Sequence, residues 1–227
     1  MTVTRTNFSE IVFNKEWHTY TLDGHKLASA TSLVNKLKAP FDRDYWSQRK
    51  ARERGVSPEV ILKEWDDKAQ ASRERGTKVH AHIEQVLRGS LPADDPFLAL
   101  NQRLPEMDAF DRLWSQIELS AQAVQVEWII ADEALGVAGT TDALLWSNQT
   151  ECLHLWDWKT GSKFNLSNRF QSLSQPFDDL DECELNLYSL QLSVYRLILE
   201  RNTDLDLADS YLVHLAGDGT HQVHKAL

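Results

Sequence analysis

Asp157 and Lys159 stand two residues apart in "HLWDWKTG" (154–161), inside a run that otherwise reads as a buried strand. Side chains alternate along a strand, so Leu153, Leu155, Asp157 and Lys159 share one face, with the Cα atoms of the charged pair roughly 6.6 Å apart. Cys152, His154, Trp156 and Trp158 face the other way. Charges at the end of an apolar face are costly to bury unless something pairs them. A plain Asp–Lys ion pair would do so. A second acid changes the problem: Asp142, in "GTTDALL", falls beside Asp157 if a turn at 148–149 closes a hairpin. Two carboxylates brought together repel, and one protonates unless a cation intervenes. Oxygen-rich sites suit Mg2+ or Mn2+. Lys159 beside such a cation can orient or help deprotonate a water, or stabilise charge growing on a phosphate. Glu127, in "VEW", is a third acid, either part of this site or an exposed strand position.

The elements that must position these residues follow from periodicity. Residues 17–28 read as a hairpin around Asp23-Gly24. From Ala30 to about Leu119 the pattern is helical. Ser57-Pro58-Glu59 is a helix start, and the helix over 60–87 is expected to break or kink at Gly76-Thr77, with Thr77 as a new cap. A loop over 88–96 and a helix over 97–117, broken near Pro105, come next. Strands are predicted at 123–130, 137–147 and 152–159, the last two as an antiparallel hairpin. An irregular stretch containing Pro176 and "DDLDECE" leads to a helix from Leu185 to Glu200, and strands at 210–215 and 220–226 form a final hairpin. The order predicts an α/β or α+β domain, a mixed central sheet flanked by helices with a helical N-terminal region. It is read as one domain over 1–227, with the hairpin and helices of 1–119 carrying His80 and the sheet core in 120–227.

Helical spacing puts His80, Ile83, Glu84 and Leu87 on one face, so His80 can reach a site while apolar neighbours anchor the helix. Glu84 has two readings, a hydrogen bond within the site or plain packing. His82 points elsewhere. Gln191 and Tyr195 share a face with Leu187 and Ile198. That suits contact with the active site or a phosphate, or a satisfied buried tyrosine.

Composition bounds the function. With 227 residues and 42% hydrophobic content, the chain can bury a full core. Its two cysteines are too few for a disulfide framework, and no apolar run is long enough to span a bilayer. The first residues lack the apolar stretch of a secretory signal, so a cytoplasmic location, in a bacterial or phage-infected cell, and no membrane partner are expected. The net charge of −10 argues against nucleic acid on its face, but residues 36–88 hold 13 Lys/Arg against 9 Asp/Glu, leaving 11 against 25 elsewhere. A locally basic helical segment on an acidic body can receive a polyanion. Its Lys and Arg, with Tyr45 and Trp46 for stacking, either line a channel for a single strand or form a rigid shell.

Taken together, Glu127, Gly139-x-x-Asp142 and Asp157-x-Lys159-Thr160 resemble the PD-(D/E)xK nuclease superfamily, and specifically its RecB-like exonuclease branch. "RGTKVHAHIE" (75–84) is similar to the branch's upstream histidine helix, and "QLSVY" (191–195) to its Gln-x-x-x-Tyr motif. The resemblance covers about 17–215 and points to small stand-alone exonucleases of phage or of the mitochondrial genome maintenance type. It implies a restriction-endonuclease-like core and an Mg2+- or Mn2+-dependent deoxyribonuclease acting on DNA ends in recombination, repair or phage DNA metabolism. His80, Asp142, Asp157 and the Trp158 carbonyl would be metal ligands. Lys159, Asp142, Asp157 and Glu127 would be catalytic, with Gln191, Tyr195, Glu84 and Thr160 supporting. Several relatives in the branch hold an iron–sulfur cluster on four cysteines; with two, this chain is expected to lack one. There is no Walker A motif, so no helicase motor. The superfamily's proline is replaced by Thr141. A structure-selective or sequence-specific endonuclease and a non-catalytic DNA-binding scaffold are the alternatives. The acidic balance leaves room for a protein partner that delivers DNA.

Overall fold

Consecutive apolar residues in the strand-length runs beyond position 119 point to opposite faces and call for a core on both sides of a sheet, and the computed structural model, which describes residues 8–14, 16–17, 19–89 and 103–227, has it. In chain order the elements are β1 (Val12–Asn14), β2 (Thr19–Leu22), β3 (His25–Ser29), α1 (Ala30–Asn35), α2 (Arg43–Arg54), α3 (Pro58–Leu87), α4 (Pro105–Ile117), β4 (Ala121–Asp132), β5 (Val137–Ser147), β6 (Cys152–Gly161), α5 (Glu184–Asn202), β7 (Leu207–Ala216) and β8 (His221–Lys225). They form a mixed α/β fold around one sheet of order β1-β2-β3-β5-β6-β7-β8, with β4 on the other edge of β5. The pairs β3–β5 and β6–β7 are parallel and the others antiparallel. The N-terminal hairpin, grouped in the sequence reading with the helices of 1–119 rather than with the sheet core of 120–227, is joined to the sheet through Ala28 and Ser29 opposite Val137 and Ala138.

The period-two pattern sorts the core into two layers. Leu144, Leu153, Leu155 and Leu212 face α5, packing on Leu192, Tyr195, Ile198 and Leu199. Ala143, Leu145, Trp158, Val213 and Leu215 face α3 and α4, packing on Val79, Ile83, Phe110 and Leu113. The two faces of β6 are therefore those the sequence assigns.

One helix expectation fails for a reason the contacts supply. α3 runs unbroken through Gly76 and Thr77, whose hydroxyl donates to the Arg73 carbonyl three ångströms away within the helix. Gly76 is instead a point of close approach: a Cβ there would lie 3.3 Å from Thr160 Oγ1, where α3 crosses the end of β6. Pro105 opens α4 at its first turn, where its missing N–H is no loss, and residues 103 and 104 just before it are not helical. The expected helix residues 97–102, and most of the expected loop over 88–96, lie outside the described residues, as does His18 of the first hairpin. Among the described residues no helix is long and apolar enough to cross a membrane.

Candidate metal and catalytic site

The site lies where one edge of β5 loses its neighbours. Along that edge β6 pairs from Ser147 back to Ala143, which sits opposite Trp156, and β3 pairs only with Val137 and Ala138. The next pair in register would set Asp142 against Asp157. There the ladder opens, and the Asp142 side chain takes the place of a backbone carbonyl: its Oδ2 accepts the Trp158 N–H at 2.8 Å. A buried backbone donor is thereby satisfied and the carboxylate is fixed.

His80 enters from α3. Its Nε2 donates to the Trp158 carbonyl at 3.1 Å, and its Nδ1 lies 3.7 Å from both Asp142 Oδ2 and Glu127 Oε1. The carbonyl can only accept, so it fixes the ring and leaves Nδ1 as the nitrogen facing the two acids. Donor atoms of His80, Glu127 and Asp142 all lie within 4.8 Å of one another, a spacing suited to one cation.

Glu127 reaches this cluster through a backbone distortion. Its φ is +49°, the left-handed region that a glutamate rarely adopts. Residues two apart in a regular strand share a face, yet Val126 packs with the α3/α4 layer and Trp128 with the α5 layer. The left-handed residue between them reverses the pleat. Arg88 stands beside it, donating to the Val126 carbonyl at 2.8 Å and to Glu84 Oε1 at 2.9 Å. Glu84 is thus tied to the site through Arg88 rather than by direct contact. A non-glycine residue in this region costs about 1–3 kcal/mol. Glu127→Gly should therefore unfold in chelator no earlier than the parent, while calorimetry finds Mn2+ binding weakened by about tenfold or more. Unchanged Mn2+ affinity would remove Glu127 from the cluster.

Asp157 and Lys159 form the second half, on the α5 face. Lys159 Nζ lies 2.6 Å from Asp157 Oδ2 and 4.5 Å from the centre of the Tyr188 ring. Gln191 Nε2 donates to Tyr195 Oη at 2.7 Å, and both are buried. The Tyr195 ring lies so close to β5 that a Cβ on Gly139 would sit 2.3 Å from its Cε1. This is the requirement for glycine three residues before Asp142. Gly139→Ala should destabilise by about 1–3 kcal/mol in denaturant melts. Adding Tyr195→Ala removes the clash, so the double variant should lose less than the sum of the singles. Strict additivity would place Tyr195 elsewhere.

Burial and neighbouring charge set the protonation. Burial opposes a charge on His80 but is outweighed by Asp142 and then Glu127, pushing the imidazole up to about 9. Burial pushes the Asp142 carboxyl above its ordinary range, against the pull of His80 and Lys159. Burial likewise lifts Asp157 to about 6, with Lys159 opposing and Asp142 adding to the rise. Lys159 resists burial because Asp157 and then Asp142 hold its ammonium, and it stays protonated beyond the ordinary lysine range. Burial also raises the Tyr195 hydroxyl.

Sequence-predicted residues are thus gathered into two adjoining groups. His80, Glu127 and Asp142 share the donor cluster; Asp157 turns to Lys159 rather than joining it, and the Trp158 carbonyl holds His80. Thr160 packs against α3 at Gly76. His82 bonds Asp111 at 2.8 Å and lies away from the site. Arg88 and Tyr188 were not singled out in the sequence. Arg88 is one turn beyond Glu84, and Tyr188 lies three residues before Gln191, so helical spacing was the available signal. The chain matches no family model and no curated protein sequence.

Proposed function

We propose that this chain is an Mg2+- or Mn2+-dependent DNA exonuclease of the PD-(D/E)xK superfamily, RecB-like branch, on a restriction-endonuclease-like core. The observation that carries the reading is the adjoining of a three-donor cluster, His80–Glu127–Asp142, to the pair of buried Asp157 and half-buried Lys159 across an opened strand ladder. One imidazole and two carboxylates are a nitrogen–oxygen donor set that fits Mn2+ or Mg2+. His80, Glu127 and Asp142 would hold the ion. Bound there, it supplies neutralisation of phosphate charge and a lowered pKa for an attacking water.

The chain's own groups supply the rest. Lys159 remains an ammonium, so its role is a fixed positive charge for phosphate oxygens rather than proton abstraction. Asp157 holds that ammonium at 2.6 Å and the Tyr188 ring steadies it. The Trp158 carbonyl orients His80, and the Trp158 N–H orients Asp142, so one peptide strand positions the donor cluster on both sides.

The test is end-labelled single- and double-stranded DNA incubated with Mg2+, Mn2+ or chelator, beside a closed circular substrate. Release of short products only with metal, and an intact circle, support an exonuclease. Cutting of the circle favours the endonuclease. No cleavage of any DNA together with no Mn2+ binding in calorimetry leaves the scaffold.

A further inference from the structure

Phe164 has no part in the mechanism above, yet three rings pack against it. The chain turns back after Gly161, the last residue of β6, and lays this phenyl on the α5 layer of the core. Strand register sets what lies beneath. Asp157 stands opposite Leu212, and Leu212 opposite His224; one row further on, Lys159 stands opposite His214. Cross-strand partners share a face, so both histidines are on the side of the Asp157–Lys159 pair. The Phe164 ring centre lies 5.1 Å from that of His224 at an interplanar angle of 4°, and 5.4 Å from that of His214 at 24°. It lies 6.0 Å from the Tyr188 ring centre at 29°, and Lys159 Nζ is 4.5 Å from that same centre.

The two histidines are held in different ways. His224 Nε2 is buried and has no hydrogen-bond partner among the described residues. Leaving such an atom unpaired is costly, so the near-parallel contact with Phe164, not a polar one, accounts for where this ring sits. His214 Nε2 donates to the Gly161 carbonyl at 3.0 Å, which also pins the end of the strand that carries Lys159. Phe164 is thus braced by both histidines and passes that hold to Tyr188. A lysine ammonium rides on a flexible four-carbon stem. Here it is met by Asp157 Oδ2 at 2.6 Å and by the face of Tyr188. A fixed charge for phosphate oxygens needs both neighbours to stay in place, since a misplacement of about 1 Å can cost about 100-fold in rate. Tyr188 is only half-buried on α5, and Phe164 stacks against it.

We propose that Phe164 is a positioning residue for the Lys159 ammonium, acting through Tyr188 and braced by His214 and His224. The use of that charge rests on the nuclease reading; the contact itself does not. The first test is proton–carbon correlation NMR on the metal-free chain with isotope-labelled lysine. The Lys159 ε-methylene resonance, assigned by its loss in Lys159→Arg, should lie upfield of exposed lysines because the group sits over an aromatic face. Phe164→Leu keeps an apolar side chain but loses the flat ring, and should return that resonance toward the exposed position. With Mn2+ and end-labelled DNA, the same variant should lower kcat by about 10- to 100-fold and leave KM nearly unchanged. His224→Ala should do both more weakly. His224→Phe, which keeps a flat ring against Phe164, should restore both readings to those of the parent. Should Phe164→Leu fail to fold, the two His224 variants decide. A Lys159 resonance that stays put in Phe164→Leu and His224→Ala, or one that moves while kcat stays parental, overturns the proposal. A parent that cuts no DNA loses the nuclease reading, and the resonance alone then decides whether Phe164 holds Lys159.

Discussion

Asp142→Asn should lower DNA cleavage by at least about 1000-fold, a loss of about 4 kcal/mol in transition-state stabilisation, without weakening the fold. The asparagine oxygen can still accept the Trp158 N–H, so the opened ladder stays satisfied. What disappears is the charge facing His80 Nδ1 at 3.7 Å and standing in Coulombic contact with Lys159 and Glu127. Burial raises the Asp142 carboxyl in spite of His80 and Lys159, which means the ionised group is unfavourable in the folded protein without a cation. Replacing a buried, incompletely paired charge by a neutral isostere is commonly neutral or stabilising. In chelator, the variant should therefore melt at the parent temperature or about 2–4 °C higher, the shift that 1 kcal/mol gives a chain of this size. Added Mn2+ should raise the parent's melting temperature and leave the variant's almost unmoved. Retention of cleavage within tenfold of the parent would dismiss the donor cluster as the working site.

Such a separation of activity from stability is what the strand opening implies. At Leu144–Leu155 and Leu145–His154 the ladder is complete and its side chains belong to the core. Beyond Ala143 the backbone pairing stops and side chains take over. Asp142 substitutes for a carbonyl, the Trp158 carbonyl serves His80 instead of a strand, and Glu127 is held in a left-handed conformation on the next strand. Local rules are broken at adjoining positions, all around the donor cluster, and this concentration is the mark expected of a functional site.

How far this was legible follows from which forces are local. The strand 137–147 matches its predicted bounds, because turn residues border it on both sides: Gly136, with its left-handed φ, before it and the polar turn at Asn148 after it. The faces of β6 follow from alternation alone. The helix carrying Gln191 and Tyr195 was readable from its apolar stripe. What pattern could not reveal is held by distant contacts. Nothing in "VEW" announces a positive φ; Arg88, 38 residues earlier, is the group bonded to the carbonyl beside it. Glycine signals a break as readily as a close approach, and only the crossing of α3 over Thr160 decides for Gly76. Convergence of His80 with the acids was legible from the resemblance. That Asp157 faces the α5 layer with Lys159 follows from alternation. That Glu127 takes its place beside His80 required the reversed pleat.

Mn2+ affinity should climb roughly tenfold per pH unit from pH 7 to about 9, close to 100-fold in all, and then level off. His80 is pushed up to about 9 in the metal-free protein, chiefly by Asp142 and Glu127 against the effect of burial. A cation taking Nδ1 must displace that proton, so one proton is released per ion bound below pH 9. Stability without metal runs the opposite way. His80 rises from 6.5 and Asp157 from 3.8 to about 6, so the folded chain holds more protons than the unfolded one in both windows. Stability in chelator should therefore fall as pH goes from about 4 to 6, and again from about 6.5 to 9. The melting-temperature gain on adding Mn2+ must widen over the second window, since metal affinity increases while the metal-free fold weakens. His80→Gln removes the titrating group: its Mn2+ affinity should be lower at pH 9 and nearly flat between pH 7 and 9. Isothermal titration in two buffers of different ionisation enthalpy reads the released proton directly. A parent protein that binds Mn2+ with no proton release at pH 7.5 would mean that the imidazole is not a ligand.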